Sequence, residues 1–164
     1  MTANVLVRVA RALELDVLAE LNEELQRLHF ENRPDQFNGV DSEELKRWLA
    51  DTLQTPAATV WVAEMRGVLV GYAIVFRRER TATPFCPARV WWELDAIGVR
   101  TEHRRTGIGR GLVGRIVAEA ESAGIADIEL NSWAFNTSAQ AAFQRLGFKP
   151  KSTRFELRLT IKSV

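Results

Sequence analysis

The chain has 164 residues, 46 % hydrophobic and 26 % charged, the proportions of one globular domain with a sizeable core. A formal net charge of +1 gives no general attraction to nucleic acid or to a membrane surface. One cysteine, Cys86, excludes an internal disulfide, and two histidines, His29 and His103, do not complete a zinc set, so no metal is expected. No secretory leader is legible and no apolar run approaches the ~20 residues of a membrane span, so a cytoplasmic single domain over 1–164 is expected.

In chain order, Val5, Val7 and Val9 alternate with other residues and predict a strand over 4–9. Leu13, Val17, Leu18, Leu21, Leu25 and Leu28 follow helical spacing. After a loop holding Asn32, Pro34, Asn38 and Gly39, Asp41-Ser-Glu-Glu44 resembles a capping box. The helix it opens turns Leu45, Trp48, Leu49 and Leu53 (or Thr52) inward and stops before Pro56. Thr59 to Glu64 and Val68 to Phe76 form a hairpin across Met65-Arg-Gly67. Residues 77–90, polar and carrying Pro84 and Pro87, read as a long loop of the kind that is often functional.

Trp91 to Val99 is the central strand, interrupted by Gly98, which marks a bulge or a close approach to a ligand. The next helix turns Ile108, Leu112, Val113, Ile116, Val117 and Ala120 inward and ends at Gly124. Gly111 and Gly114 inside it imply close packing on the sheet. A strand at Asp127 to Ser132, a helix at 137–146 and an alternating strand from Phe155 to Ile161 complete the pass. The order β-α-α-β-β-β-α-β-α-β-β predicts an α/β (mixed α+β) fold, a mixed sheet covered by helices.

Between the central strand and its helix runs Arg104-Arg105-Thr-Gly107-Ile-Gly109-Arg110. Glycines there admit a ligand close to the backbone, and the helix's unsatisfied N–H groups favour an anion. Arg104, Arg105 and Arg110 add bidentate phosphate donors, and Thr106 a hydroxyl. No G-x-x-x-x-G-K-[ST] run exists, so a triphosphate loop is excluded. The dinucleotide pattern Gly109-x-Gly111-x-x-Gly114 falls inside the helix rather than in the turn leaving a strand, which argues against it.

Arg104-x-x-Gly107-x-Gly109, followed by Asn136-x-x-Ala139 and Leu146-Gly147-Phe148, resembles the GNAT superfamily of acyl-CoA-dependent N-acyltransferases. The resemblance covers Trp92 to Phe148 well, the hairpin before it loosely and the first 55 residues by pattern only. It implies a mostly antiparallel central sheet with helices on both faces. It also implies that main-chain groups of Ile97, Gly98 and Val99 hold the pantetheine arm of acetyl-CoA. Arg104, Arg105, Thr106, Gly107, Ile108, Gly109 and Arg110 would hold its pyrophosphate. Asn136 would lie near the cofactor, with simple N-capping as its other reading. Phe143 stands on the cofactor side where the family usually has a tyrosine that protonates the leaving thiolate, which phenylalanine cannot do.

Glu93 lies eleven residues before Arg104, where some members of that superfamily place a general base. Asp95 follows on the same face if pairing is regular, and paired carboxylates on an apolar strand suit proton abstraction. Glu129 is a third candidate. The activity implied is acetyl transfer to a primary amine, on a small molecule or a peptide, by direct attack, with Glu93 or a water as base. Trp91, Trp92, Phe85 and the segment Phe30 to Phe37 are candidates for the acceptor site. A non-catalytic acyl-CoA sensing module is the rival reading, which Phe143 favours. Homodimerisation is implied by the resemblance alone.

Overall fold

The structure, a computed structural model, describes residues 5–159. The chain falls into two compact units, Met1–Asn131 and Ser132–Val164. In the first, β1 (Val5–Val9), β2 (Ala58–Met65), β3 (Val68–Arg80), β4 (Arg89–Val99) and β5 (Ile128–Leu130) form one sheet in that order. The first three pairings are antiparallel and β4–β5 is parallel. Helices α1 (Leu15–Asn32) and α2 (Ser42–Gln54) lie between β1 and β2, and α3 (Ile108–Ser122) between β4 and β5. The element order implies this mixed sheet covered by helices, and the family resemblance implies its mostly antiparallel pairing.

Local chemistry explains the boundaries. The Asp41 carboxylate accepts N–H bonds from Glu43 and Glu44, both 2.9 Å, and so caps α2. The β2–β3 turn places Arg66 at φ 52° and Gly67 at φ 80°, the two positive values that a type I′ hairpin demands. Leu18 and Leu21 of α1 and Leu49 of α2 cluster with Val60, Val62, Tyr72, Ile74 and Ala96 on one sheet face. Each such buried aliphatic contributes roughly 1.5–3 kcal/mol. On the opposite face α3 packs close at Gly71, where an added Cβ would sit 3.1 Å from Ile108 Cγ2.

Several sequence expectations are corrected. The charged run from Arg77 is strand, not loop: β3 and β4 stay paired out to Arg80↔Arg89, leaving a loop only at 81–88. Its polarity reflects an exposed hairpin end whose charges are mutually satisfied, as in Arg77–Glu79 at 2.7 Å. Leu13, Leu28, Trp48 and Val117 face solvent rather than the core, whereas Thr52 is buried. Gly114 packs against nothing, since a Cβ there would meet no atom within 4 Å, and at Gly111 it would make only ordinary contact with Val7.

In the second unit, α4 (Thr137–Arg145) is followed by extended chain. The strand expected from Phe155 does not form among the described residues, and Phe155, Leu157 and Leu159 are exposed. An alternating pattern needs a neighbouring backbone before it becomes a strand. Positions 160 and 161 of that expectation lie outside the described residues.

Candidate active site

The site begins where β4 stops being an ordinary strand. Ile74 pairs with Ala96 and the next residue, Val75, with Leu94, so Asp95 is an extra residue bulged out of the ladder. On its other side β4 pairs with β5 only through Trp92, Glu93 and Leu94. From Asp95 to Val99 its outer edge therefore has no ladder partner within Met1–Asn131. Of the two readings of Gly98, a bulge or a close approach to a ligand, the bulge is found at Asp95 instead. Gly98 faces Tyr72 across the ladder, and a Cβ there would lie 2.6 Å from Tyr72 Cε1. The glycine makes room for that ring.

Pairing with Phe76, Ile74 and Tyr72 puts Glu93, Ala96 and Gly98 on the α1–α2 face. Glu93 holds the Arg78 guanidinium at 3.3 Å, and that guanidinium lies over the Phe76 ring. Asp95 is raised above the ordinary aspartate range, first by loss of solvation and then by the Glu93 charge, with Arg78 opposing. The residue is exposed by area, and the direction follows from the local environment of its carboxyl near Glu93. Irregular pairing thus does not separate the two carboxylates electrostatically. Glu129, opposite Glu93 on β5, is bonded to Arg89, which also holds Asp127 at 3.2 Å.

Beyond Val99 the chain makes a short 3-10 turn, Thr101–His103, and enters α3 through two left-handed residues, Arg105 at φ 61° and Gly107 at φ 92°. A non-glycine residue held there costs about 1–3 kcal/mol and is a strain concentrated at functional sites. The first helical bond runs from Gly111 N–H to the Gly107 carbonyl at 2.9 Å, so the N–H groups of Ile108, Gly109 and Arg110 precede it. Nothing lies within 4 Å of a Cβ built at Gly107 or Gly109, and the turn is open to a ligand.

Two of the expected side-chain donors are committed inside the protein. Arg104 donates to the Val99 carbonyl at 3.1 Å and to Glu24 of α1 at 2.6 Å. The Thr101 hydroxyl reaches the same Glu24 oxygen, and Thr106 donates to the His103 carbonyl at 2.6 Å. Arg104 is therefore a brace, and the open turn has Arg105 and Arg110 as its exposed cations. At the strand end Arg100 donates from its backbone to Val70 at 2.9 Å and from its side chain to Leu69 at 3.0 Å. Val70 is the extra residue of a second bulge, against β2, whose carbonyl fixes the exit of β4. Glu24 and Tyr72 are residues beside this region to which the sequence alone assigns no binding or catalytic role. Glu24 carries no local signal, and the only mark on Tyr72 was that the chain has no other tyrosine.

In the second unit Asn136 caps α4, its side-chain oxygen accepting from Ala139 N–H at 3.3 Å. Phe143 packs edge-on against Phe148 at 5.9 Å, and Gly147 at φ 99° closes the helix. Residues 15–148 match the family model described as Acetyltransferase (GNAT) family. The chain belongs to the GNAT acetyltransferase family. The general reaction of GNAT acetyltransferases is transfer of an acetyl group from acetyl-CoA.

Among curated proteins this GNAT chain is similar to N-acetyltransferase family 8 member 3 of Rattus norvegicus, 35 % identical over 54 % of the chain and 37 % of the rat protein. The chain thus matches well under half the length of that relative. Among solved structures it resembles a tetramutant of the BH1408 protein from Bacillus halodurans, with TM-score 0.89 and 22 % identity over 94 % of this chain and 99 % of that one. It also resembles the aminoglycoside N-acetyltransferase AAC(6')-Iy solved in complex with CoA, with TM-score 0.77 and 18 % identity over 97 % of each chain. At those identities the two structures establish the shared fold. No helix among the described residues is long and apolar enough to cross a membrane.

Proposed function

We propose that this GNAT protein transfers the acetyl group of acetyl-CoA to a primary amine by direct attack of the amine on the thioester. The observation that carries the reading is the unbroken run from the open outer edge of β4 into the strained turn and the bare N-terminus of α3. The backbone groups of the Ile97–Val99 stretch that point away from β3 suit the amide-bearing pantetheine arm, with the Val99 carbonyl shared with Arg104. The N–H groups from Ile108 to Arg110, with Gly107, Gly109 and the cations Arg105 and Arg110, suit the pyrophosphate. The family resemblance also assigns Asn136 and Phe143 of the second unit to acetyl-CoA, and the family match spans residues of both units.

The proton released by the attacking amine goes to the Glu93–Asp95 pair, directly or through a water. Glu93 already has Arg78 as its ion partner, whereas Asp95 is the raised carboxylate and the better proton acceptor. The same two charges favour a cationic acceptor. A main-chain N–H on the open edge polarises the thioester carbonyl, as an oxyanion hole does. The acceptor is a small-molecule or peptide amine. The aminoglycoside neighbour shares the fold only and does not name it.

The test is an amine panel with acetyl-CoA, following free thiol, beside thermal melts. Acetyl-CoA at about 100 times its Kd stabilises by roughly 2.7 kcal/mol. A melt shift with acetylated product supports the reading. A shift without turnover on any amine moves the chain to the sensing-module reading that Phe143 favours. No shift at millimolar acetyl-CoA overturns both.

A further inference from the structure

Arg78 stands opposite Trp91 on the ladder and Phe76 opposite Glu93, so all four side chains belong to one face of the β3–β4 ribbon. The Arg78 side chain does not extend away from the fold. It doubles back along its own strand until its guanidinium lies 4.7 Å from the centre of the Phe76 ring, and Phe76 is packed on the core beneath α1 and α2. A planar cation is attracted to such a ring face and held there. That rest draws the charge toward the bulge and puts it 3.3 Å from Glu93. The two side chains are 43 % and 25 % exposed, so water does not screen the pair completely. Arg78 and Glu93 are the charges that act on Asp95, with opposite signs. The other ionisable groups of the neighbouring elements are committed elsewhere or neutral. Glu20 and Glu24 of α1 hold Arg100 and Arg104, Glu129 of β5 holds Arg89, and burial keeps the Tyr72 hydroxyl protonated.

We propose that Arg78 is a positioning residue for proton transfer: resting on Phe76, it holds the Glu93 charge so that Asp95 stays ionised beside it and can take the proton of the attacking amine. The inference rests on the acetyl-transfer reading above. Two carboxylates at close range resist carrying two negative charges, and one of them then retains a proton. An aspartic acid that already holds a proton accepts none. Asp95 sits above its ordinary range, first through loss of solvation and then through the Glu93 charge, and Arg78 holds that rise in check. A guanidinium does so without titrating itself, because it keeps its proton at every working pH. As the amine nitrogen bonds to the thioester carbon, its proton passes to the Asp95 carboxylate, directly or through a water, and from there to solvent. CoA leaves with the electron pair of the broken C–S bond. Arg78 gives and takes no proton. It also leaves Asp95 the freer of the two carboxylates, since Glu93 has the guanidinium as its direct partner.

Carboxyl ¹³C NMR follows the ionisation of Asp95 directly, with Asp95→Asn assigning the signal. Arg78→Gln should move its midpoint to higher pH. Glu93→Gln, which removes the like charge, should move it to lower pH. The double variant Arg78→Gln/Glu93→Gln should return toward the wild-type midpoint, a compensation that loss of packing does not produce. Phe76→Leu keeps an apolar side chain but no ring, and should give a smaller upward shift than Arg78→Gln. The acidic limb of kcat, at saturating amine and acetyl-CoA, should follow the same order. On that limb Arg78→Gln should be about 3- to 10-fold slower than wild type, and at pH above it the two should converge. An Asp95 midpoint that neither Arg78→Gln nor Phe76→Leu moves overturns the proposal, as do Arg78→Gln and Glu93→Gln shifts in one common direction. Turnover with an acidic limb that Arg78→Gln leaves in place overturns it too, while the acetyl-transfer reading stands. The expected midpoints without acetylation of any amine overturn the acetyl-transfer reading and, with it, the role of Arg78 in proton transfer.

Discussion

Three glycines around the site look alike in sequence, but the structure gives them separate reasons. Gly98 is required by the protein itself. Gly98→Ala should drive a methyl to 2.6 Å from the Tyr72 ring and cost about 1–3 kcal/mol by overpacking, measured by urea denaturation. Gly109 has helical geometry and open space, so nothing in the fold asks for glycine there. Gly109→Ala should leave stability unchanged or raise it by up to about 1 kcal/mol while weakening acetyl-CoA binding. Gly114→Ala, equally open but further along α3, should give the stabilisation without the binding defect. A Gly109→Ala variant that binds normally would remove the cradle from the backbone at that position. For the carboxylates, Asp95→Asn should lower kcat/KM by about 10²–10⁴-fold and exceed the loss in Glu93→Gln. Because Asp95 is raised, the wild-type acidic limb should lie above the ordinary aspartate value and vanish in Asp95→Asn.

Between elements, two ion-pair sets do different work. Glu24 joins α1 to the turn before α3 by receiving Arg104 and Thr101. Glu24→Ala should loosen that turn and raise the Kd for acetyl-CoA several-fold, with kcat at saturation nearly kept. Titration calorimetry against saturating kinetics separates the two. Arg8 links β1 to β2 and to the turn before α1, with Glu14 and Glu64 both at 2.6 Å. The Arg8 hydrogen bond holds Glu14 below the ordinary glutamate range, aided by the Arg11 backbone N–H and opposed by burial. A carboxylate lowered in the fold stabilises at pH above its unfolded value, and that contribution is lost as pH falls below it. Glu14→Gln should cost about 1–3 kcal/mol at neutral pH and close the gap between stability at neutral pH and at about pH 3.

For the whole molecule, what repeats along the chain was legible and what depends on a distant partner was not. The order of β1 to α4, the Asp41 cap, the Arg66–Gly67 turn and the Arg104–Gly109 run each rest on neighbours in sequence. The place of the bulge rests on β3 meeting β4, and so it was read at Gly98, the residue that looked unusual, rather than at Asp95, which did not. The hairpin end at Arg77 to Arg80 was hidden by charges that pair along the strand, as Arg77 with Glu79, and across the ladder, as Arg78 with Glu93. The burial of Tyr72 and the reach of Glu24 to Arg104 likewise exist only after α1 docks. The same logic sets the pattern of local opening. Amides of β3, paired on both sides, should exchange slowest. Amides of residues 95–99 that point away from β3 should exchange fast in the free protein and slow sharply with acetyl-CoA, as hydrogen-exchange mass spectrometry can read.

The bulge also bears on which changes of chain length the sheet tolerates. Ala96 already pairs with Ile74 and Leu94 with Val75, so Asp95 is the residue of β4 that the ladder skips. Deleting it leaves every cross-strand partner in place and every side chain on its present face. Deleting Leu94 instead would draw Asp95 into its place opposite Val75 and put a carboxylate at a buried position. A chain lacking Asp95 should therefore fold and melt near wild type, yet acetylate poorly. A sheet of this design can gain or lose a proton acceptor by a single-codon insertion or deletion, without any rearrangement of its core.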